Sequence, residues 1–143
     1  MRKLCYDTVL NYIKNLSDES SIYIGCDSKL SGSRTLFGLA LILHIESSKG
    51  GMCFAQKMHE NRRMPISERL MKEVEHAVTC AAKVQDAAGS KTLEVHLDLN
   101  PNPEHKSYKY LHAAIGYVKG QGLVYKVKPS AFAATTAADY ILG

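Results

Sequence analysis

Four acidic side chains give this chain its chemical potential: Asp27, Glu73, Asp98 and Asp139. Asp27 lies in SIYIGCDSK, residues 21–29, where Ile22, Ile24 and Cys26 alternate with Tyr23, Gly25 and Asp27, the period-two pattern of a half-buried strand. Asp98 lies near the end of KTLEVHLDL, residues 91–99. There Leu93, Val95, Leu97 and Leu99 fall on one side, and Glu94, His96 and Asp98 on the other. A carboxylate at the end of an apolar strand is costly to bury unless a positive charge meets it. Two of them side by side raise the cost, because like charges drive one pKa up. A divalent cation between them relieves both penalties. Hard oxygen donors with no Cys or His cluster nearby select Mg²⁺ or Mn²⁺ over zinc. Two such ions about 3.5–4 Å apart activate a water and stabilise the leaving oxygen in an in-line phosphodiester displacement.

The third and fourth donors come from helical stretches. At about 100° per residue, Glu73 shares a flank with Ile66, Leu70, Ala77 and Val84, whereas Glu68 and Glu75 face the other way. Glu73 is the candidate, with Glu75 the alternative if the helix is rotated. Asp139 shares a face with Phe132, Thr135 and Leu142 and is expected to point inward. Each acid also has an ordinary reading. Asp27 can cap the turn that follows it, Asp98 can cap the NPNP turn, and Glu73 and Asp139 can be solvated helix acids. Their expected convergence argues against four separate accidents.

The elements that must position these acids follow from pattern and punctuation. Arg2 to Leu16 reads as an amphipathic helix with Cys5, Val9, Tyr12, Ile13 and Leu16 on one face. Three strands follow, Ser21 to Lys29, Arg34 to Glu46 and Met52 to His59, joined by the turns SKLSGS and SSKGG, which implies an antiparallel meander. A basic loop, NRRMP, leads into a helix from Ile66 to Ala88 with Ser67 as its cap. A fourth strand spans Lys91 to Leu99. A helix from about Ser107, a fifth strand from Leu123 to Lys128 and a short Ala-rich helix complete the chain. Right-handed crossovers lay the fourth strand parallel to the first, with the fifth outside it. The result is an α/β fold with a five-stranded mixed sheet in the order 3-2-1-4-5, flanked by helices. Open α/β sheets bind ligands at such a change of strand direction, beyond the carboxyl ends, where Asp27 and Asp98 fall.

At 143 residues the chain is expected to form one domain, 1–143, with residues 1–17 as a helical extension. A net charge of +4 suits a polyanionic partner without requiring one. Arg62, Arg63, Lys106 and Lys128, with Lys57, Lys109 and Lys126, could line a phosphate track; solvated charge is the ordinary alternative. Tyr108, Tyr110, Tyr117 and Tyr125 could stack bases, or cover core and sheet. His76 and Cys80, four apart, lack a second pair and read as packing; His96 reads as a hydrogen-bonded structural histidine. Four scattered cysteines suggest a reducing, cytoplasmic setting. No signal peptide and no membrane-length apolar run are expected.

Taken together, GCDSK, RLMKEVE, EVHLDLNPNPEHKS and KPSAFAATTAADY resemble the ribonuclease H-like superfamily, and within it the YkuK-type ribonuclease H-like family. The likeness runs from about Ile22 to the end of the chain, and HLDLNPNP with KPSAFAATTAADY is its most specific part. It implies carboxylates from the first strand, the first core helix, the end of the fourth strand and the last helix, holding two Mg²⁺ or Mn²⁺ ions. These match Asp27, Glu73, Asp98 and Asp139. The implied activity is a metal-dependent nuclease acting on RNA, an RNA/DNA hybrid or branched DNA, the last as in junction resolvases. The alternatives are an inactive module of the same fold that binds nucleic acid or protein, and a nucleotide phosphohydrolase.

Overall fold

The computed structural model describes residues 1–45 and 50–143, with the side chains of 132–135 left aside. The elements, in chain order, are β1 (Arg2–Lys3), α1 (Tyr6–Asn15), β2 (Ser21–Ser31), β3 (Arg34–His44), β4 (Gly51–Glu60), α2 (Ile66–Ala88), β5 (Thr92–His96), a 3₁₀ turn (Tyr108–Tyr110), α3 (Leu111–Gly120), β6 (Val124–Lys126) and α4 (Phe132–Leu142). One mixed sheet of six strands runs in the order β1-β4-β3-β2-β5-β6. The expected five strands keep their expected order, and β1 adds a sixth at the edge. Arg2 and Lys3 pair in parallel with Phe54 and Ala55, so the first helix starts at Tyr6 rather than Arg2. The expected end of the second strand at Glu46 and part of the following turn, residues 47–49, lie outside the described residues.

The sheet has two unlike faces, and the sequence alternation decides which is which. Ile22, Ile24 and Cys26 of β2 pair with Leu43, Leu41 and Leu39 of β3. With Phe37, Phe54 and Val95 they form the main core beneath α1, α2 and α3. Full burial of one such side chain is worth about 1.5–3 kcal/mol. α2 contributes Leu70, Val74, Ala77, Val78, Ala81 and Val84 to that core at helical spacing. Its bounds are the expected ones, but its cap is Pro65 rather than Ser67, with no side-chain capping bond. Pro65 suits this place because its fixed φ and missing N–H cost nothing at a helix start, and its carbonyl accepts the Arg69 N–H at 2.9 Å.

The opposite face holds α4 over its small residues. Ala40 packs against Ala138 and Ile141 in a separate small cluster. Gly38 brings α4 closest: a Cβ there would lie 2.9 Å from the Ala138 carbonyl oxygen and 3.1 Å from Leu142 Cγ. Gly38 is also the partner of Asp27 across the β2–β3 ladder. The same residue that seats α4 therefore sits beside the first candidate acid.

Candidate active site

Asp27 and Asp98 are set side by side by strand register. The parallel β2–β5 ladder ends at Gly25 opposite His96, and both acids lie two residues further on. Asp98 lies just past the end of β5, whereas Asp27 lies in the part of β2 that runs on past β5, still paired with β3 as far as Ser31. Beyond His96 the fourth strand no longer pairs with β2, so the ladder is shorter than the expected Lys91 to Leu99. It continues irregularly against the last strand, with Leu97 N–H donating to the Lys126 carbonyl at 2.9 Å and Lys128 N–H to the Leu99 carbonyl at 3.1 Å. This pairing brings Lys128 to the carboxylates: its Nζ is 2.5 Å from Asp98 Oδ1.

Asp27 is partly buried, and burial is the main cause of a pKa raised above the usual carboxylate value. The negative charges of Asp98 and Asp139 add to the rise. The Ser28 N–H, 2.8 Å from Asp27 Oδ1, and the ammonium of Lys128 act in the opposite sense. Burial without full compensation is the condition in which a carboxylate holds its proton or seeks a cation.

Glu73 is 7% exposed, whereas Glu75 and Glu68 are exposed; the helix is rotated so that Glu73 faces the sheet. Its carboxylate accepts a very short hydrogen bond from the Ser28 hydroxyl, and Arg69 Nε lies 3.2 Å from the same hydroxyl. Burial pushes the Glu73 pKa well above the ordinary value, Asp27 and Asp98 push it further, and Ser28 and Arg69 offset part of this. Ser28 faces α2 and its neighbour Asp27 faces α4. The site thus wraps around the end of β2 instead of lying on one face.

Asp139 follows Ala138, which is buried against the sheet, but is itself exposed. The expectation that it points inward is corrected: Ala138 and Ile141 form the inner face of α4. Phe132 and Thr135, the expected companions of Asp139, are side chains outside the description. Asp139 is nonetheless close enough to Asp27 for its charge to raise the Asp27 pKa.

The basic residues divide. Lys128 joins the carboxylates. Arg62 is exposed and ion-paired with Glu68, Arg63 Nη1 donates to the Gly32 carbonyl at 2.5 Å, and Lys106 is exposed in the segment after Asp98. Thr35, fully buried, fixes the loop bearing the two arginines: its hydroxyl donates to the Arg62 carbonyl and accepts from Met64 N–H, each at 2.9 Å. His96 is buried, stacks on Tyr23 at 4.9 Å between ring centroids, and has Nε2 3.1 Å from Glu94 Oε1. His76 packs against the Phe37 ring. Ser28 and Arg69 are the residues that pattern reading missed. The four-residue spacing of Arg69 and Glu73 was the available signal.

The donor set suits a hard divalent ion. All the candidate ligands are carboxylates, and Asp98 Oδ1 is enclosed and accepts no hydrogen bond. Its ion pair with Lys128 is close but lacks hydrogen-bond geometry, so an ammonium already stands where a cation would be drawn. The spacing is looser than an ion requires: among the described residues, no three Asp, Glu, His or Cys side chains are near enough together to hold one. Glu73 is held instead by Ser28, and Asp98 by Lys128.

A mixed sheet in this order, with an acid on each strand just beyond the end of the parallel β2–β5 ladder and helices on both faces, is a ribonuclease H-type fold. A family model described as Ribonuclease H-like matches residues 5–142, and the chain belongs to that family. Among solved structures, the N-terminal RNase H domain of rv2228c from Mycobacterium tuberculosis, solved as a fusion with maltose-binding protein, is similar. The two share 15% identity over 85% of this chain and 90% of that one, with a TM-score of 0.48. Among curated proteins nothing matches the chain. Among the described residues, no helix is long and apolar enough to cross a membrane.

Proposed function

We propose that this protein is a divalent-metal-dependent nuclease hydrolysing phosphodiester bonds of RNA or DNA, with Asp27, Glu73, Asp98 and Asp139 as its metal ligands. The observation that carries the proposal is the register: Asp27 and Asp98 stand equally far past the Gly25–His96 pair, within electrostatic reach of Glu73 and Asp139. Mg²⁺ or Mn²⁺ bound there, in a two-metal arrangement, would activate water and neutralise charge developing on the phosphate.

The chain's own residues do the remaining work. Burial leaves Asp27 and Glu73 with raised pKa values, so they give up protons when a cation is bound. The Ser28 hydroxyl fixes the Glu73 carboxylate, and Arg69 in turn holds Ser28. Lys128, on leaving Asp98, offers an ammonium to a phosphate oxygen at the same place. Arg63 and Lys106 supply further positive charge along the approach, and Arg62 does so to the extent that a phosphate displaces Glu68 from it. The narrower likeness to the YkuK-type family and a reducing, cytoplasmic setting, consistent with four free cysteines, belong to the same reading.

A second reading is a binding module that keeps the fold without catalysis. It is favoured by the ligand spacing, which does not close around an ion as the side chains stand. The deciding experiment is a panel of RNA/DNA hybrid, single-stranded, duplex and branched substrates with Mn²⁺, comparing the wild type with Asp98→Asn. The nuclease reading expects cleavage of at least one polymer and a loss of about 100-fold or more in the variant, as for removal of one key electrostatic group. Binding without cleavage supports the module, and turnover confined to mononucleotides supports a phosphohydrolase.

A further inference from the structure

Between the start of α2 and the segment that follows Asp98 lies a cleft of about 520 Å³, lined by Ile66, His105, Lys106, Tyr108, Lys109 and Tyr110 among others. Its volume falls in the range of about 300–1,000 Å³ typical of small-ligand sites. We propose that this cleft is a subsite for unstacked bases of a single-stranded nucleic acid whose backbone continues into the carboxylate site. The proposal rests on the nuclease reading only for what happens at the carboxylates; binding in the cleft is a separate property.

The walls are aromatic and the rim is cationic. Tyr108 and Tyr110 line the cleft and are partly buried and packed against the core, so their rings are held in place before a base arrives. Lys109 Nζ lies 5.2 Å from the centre of the Tyr110 ring, and the Tyr108 ring meets the His112 ring edge-on at 6.2 Å. Lys106, Lys109 and His105 are exposed. Glu104 is the one acid in the same stretch, and the nearby Glu68 is taken up by Arg62. Ile66 is 47% exposed and lines the same cleft as the tyrosines, where it supplies an apolar wall.

This pairing of aromatic rings with lysines in one cleft matches single strands rather than duplexes. Bases in a duplex already stack on each other, and their faces are closed to protein; a free strand offers both ring faces and phosphates. The placement also fits. Glu73 is seven residues along α2 from Ile66, about 10 Å at 1.5 Å per residue, so one short strand can reach both. On the other side, Asn100, two residues after Asp98, donates its N–H to Ser107 Oγ at 3.1 Å. The loop is thereby folded back so that residues 105–110 stay near the acids.

The test is fluorescence anisotropy with a labelled 12-nucleotide oligothymidylate and a duplex of equal length, in EDTA so that no cleavage intervenes. The wild type should bind the single strand at least fivefold more tightly than the duplex. Tyr108→Leu should weaken single-strand binding about fivefold or more, the lower end of a base-stacking contact, while Tyr108→Phe restores it. Because Tyr108 touches the core, Ile66→Glu provides an independent variant: it alters an exposed wall and places a carboxylate where phosphates pass. It should weaken the single strand by a similar factor at an unchanged melting temperature. Equal affinity for strand and duplex, or wild-type affinity in both Tyr108→Leu and Ile66→Glu, overturns the proposal. Strand binding with no cleavage in Mn²⁺ would leave the cleft standing and remove the nuclease. Cleavage unaffected by both cleft variants, with no strand preference, would do the reverse.

Discussion

Gly38→Ala offers the sharpest test of how the fold builds the site. The added methyl would sit 2.9 Å from the Ala138 carbonyl oxygen, 3.1 Å from Leu142 Cγ and 3.3 Å from Ile141 Cγ2. The side chains can turn aside, but the carbonyl belongs to the α4 backbone, so only a shift of the helix by several tenths of an ångström relieves the contact. Overpacking of this kind costs about 1–3 kcal/mol. For a chain of this size that is roughly 3–5 °C per kcal/mol, a fall in melting temperature of about 3–15 °C. Since Asp139 follows Ala138 and Gly38 faces Asp27, the same shift draws Asp139 away from Asp27. Mn²⁺ affinity measured by calorimetry should therefore fall together with stability. Gly116→Ala is the control: it is a helical glycine with nothing near the added methyl, and it should stabilise by about 0.5–1 kcal/mol without changing Mn²⁺ binding. A Gly38→Ala protein that melts at or above the wild type and binds Mn²⁺ equally would refute the reasoning.

Two further outcomes follow from the electrostatics. Glu73 has its pKa raised in the fold, mainly by burial, so the native state keeps a proton that the unfolded chain has already lost. Wild-type stability without metal should thus decline as pH rises from the unfolded value near 4.5 through the raised native value, by at most about 1.4 kcal/mol per pH unit from this group. In Glu73→Gln that decline is absent, so urea melts in EDTA from pH 4.5 to 8 should show the variant gaining on the wild type; a gap that moves the other way counts against the buried carboxylate. Lys128 competes with any cation for Asp98, so Lys128→Gln should bind Mn²⁺ more tightly and nucleic acid more weakly. Weaker Mn²⁺ binding in that variant would mean that Lys128 supports the site rather than blocks it.

What was legible in the chain was whatever is written in local periodicity. The alternation in residues 21–29 and 91–99 located both strand-borne acids, and the flank shared with Leu70, Ala77 and Val84 picked Glu73 over Glu75. Four features were set by contacts between distant segments. β1 is a pair of exposed residues whose strand character comes only from the edge of β4. The fourth strand reads as continuous to Leu99 because Leu97 and Leu99 carry on the apolar alternation, and both are buried, yet its ladder with β2 stops at His96. Asp139 was assigned to the inner face by an ideal helical wheel, but Gly38 seats α4 on Ala138 and Ile141, which turns Asp139 to the rim. The chain Arg69–Ser28–Glu73 joins a polar residue on a strand to a helix 41 and 45 residues away; the helix spacing of Arg69 and Glu73 hints at a pair, but neither segment alone announces Ser28 as its third member.

The measurement closest to the central claim is the melting temperature of the metal-free protein against added Mn²⁺, for the wild type, Asp27→Asn and Asp98→Asn. An ion bound only by the native state at 100 times its dissociation constant stabilises by about 2.7 kcal/mol, so the wild type should rise by several degrees and both variants far less. A wild type that does not move, or variants that rise as far as it does, would contradict the assignment of these acids as a cation site.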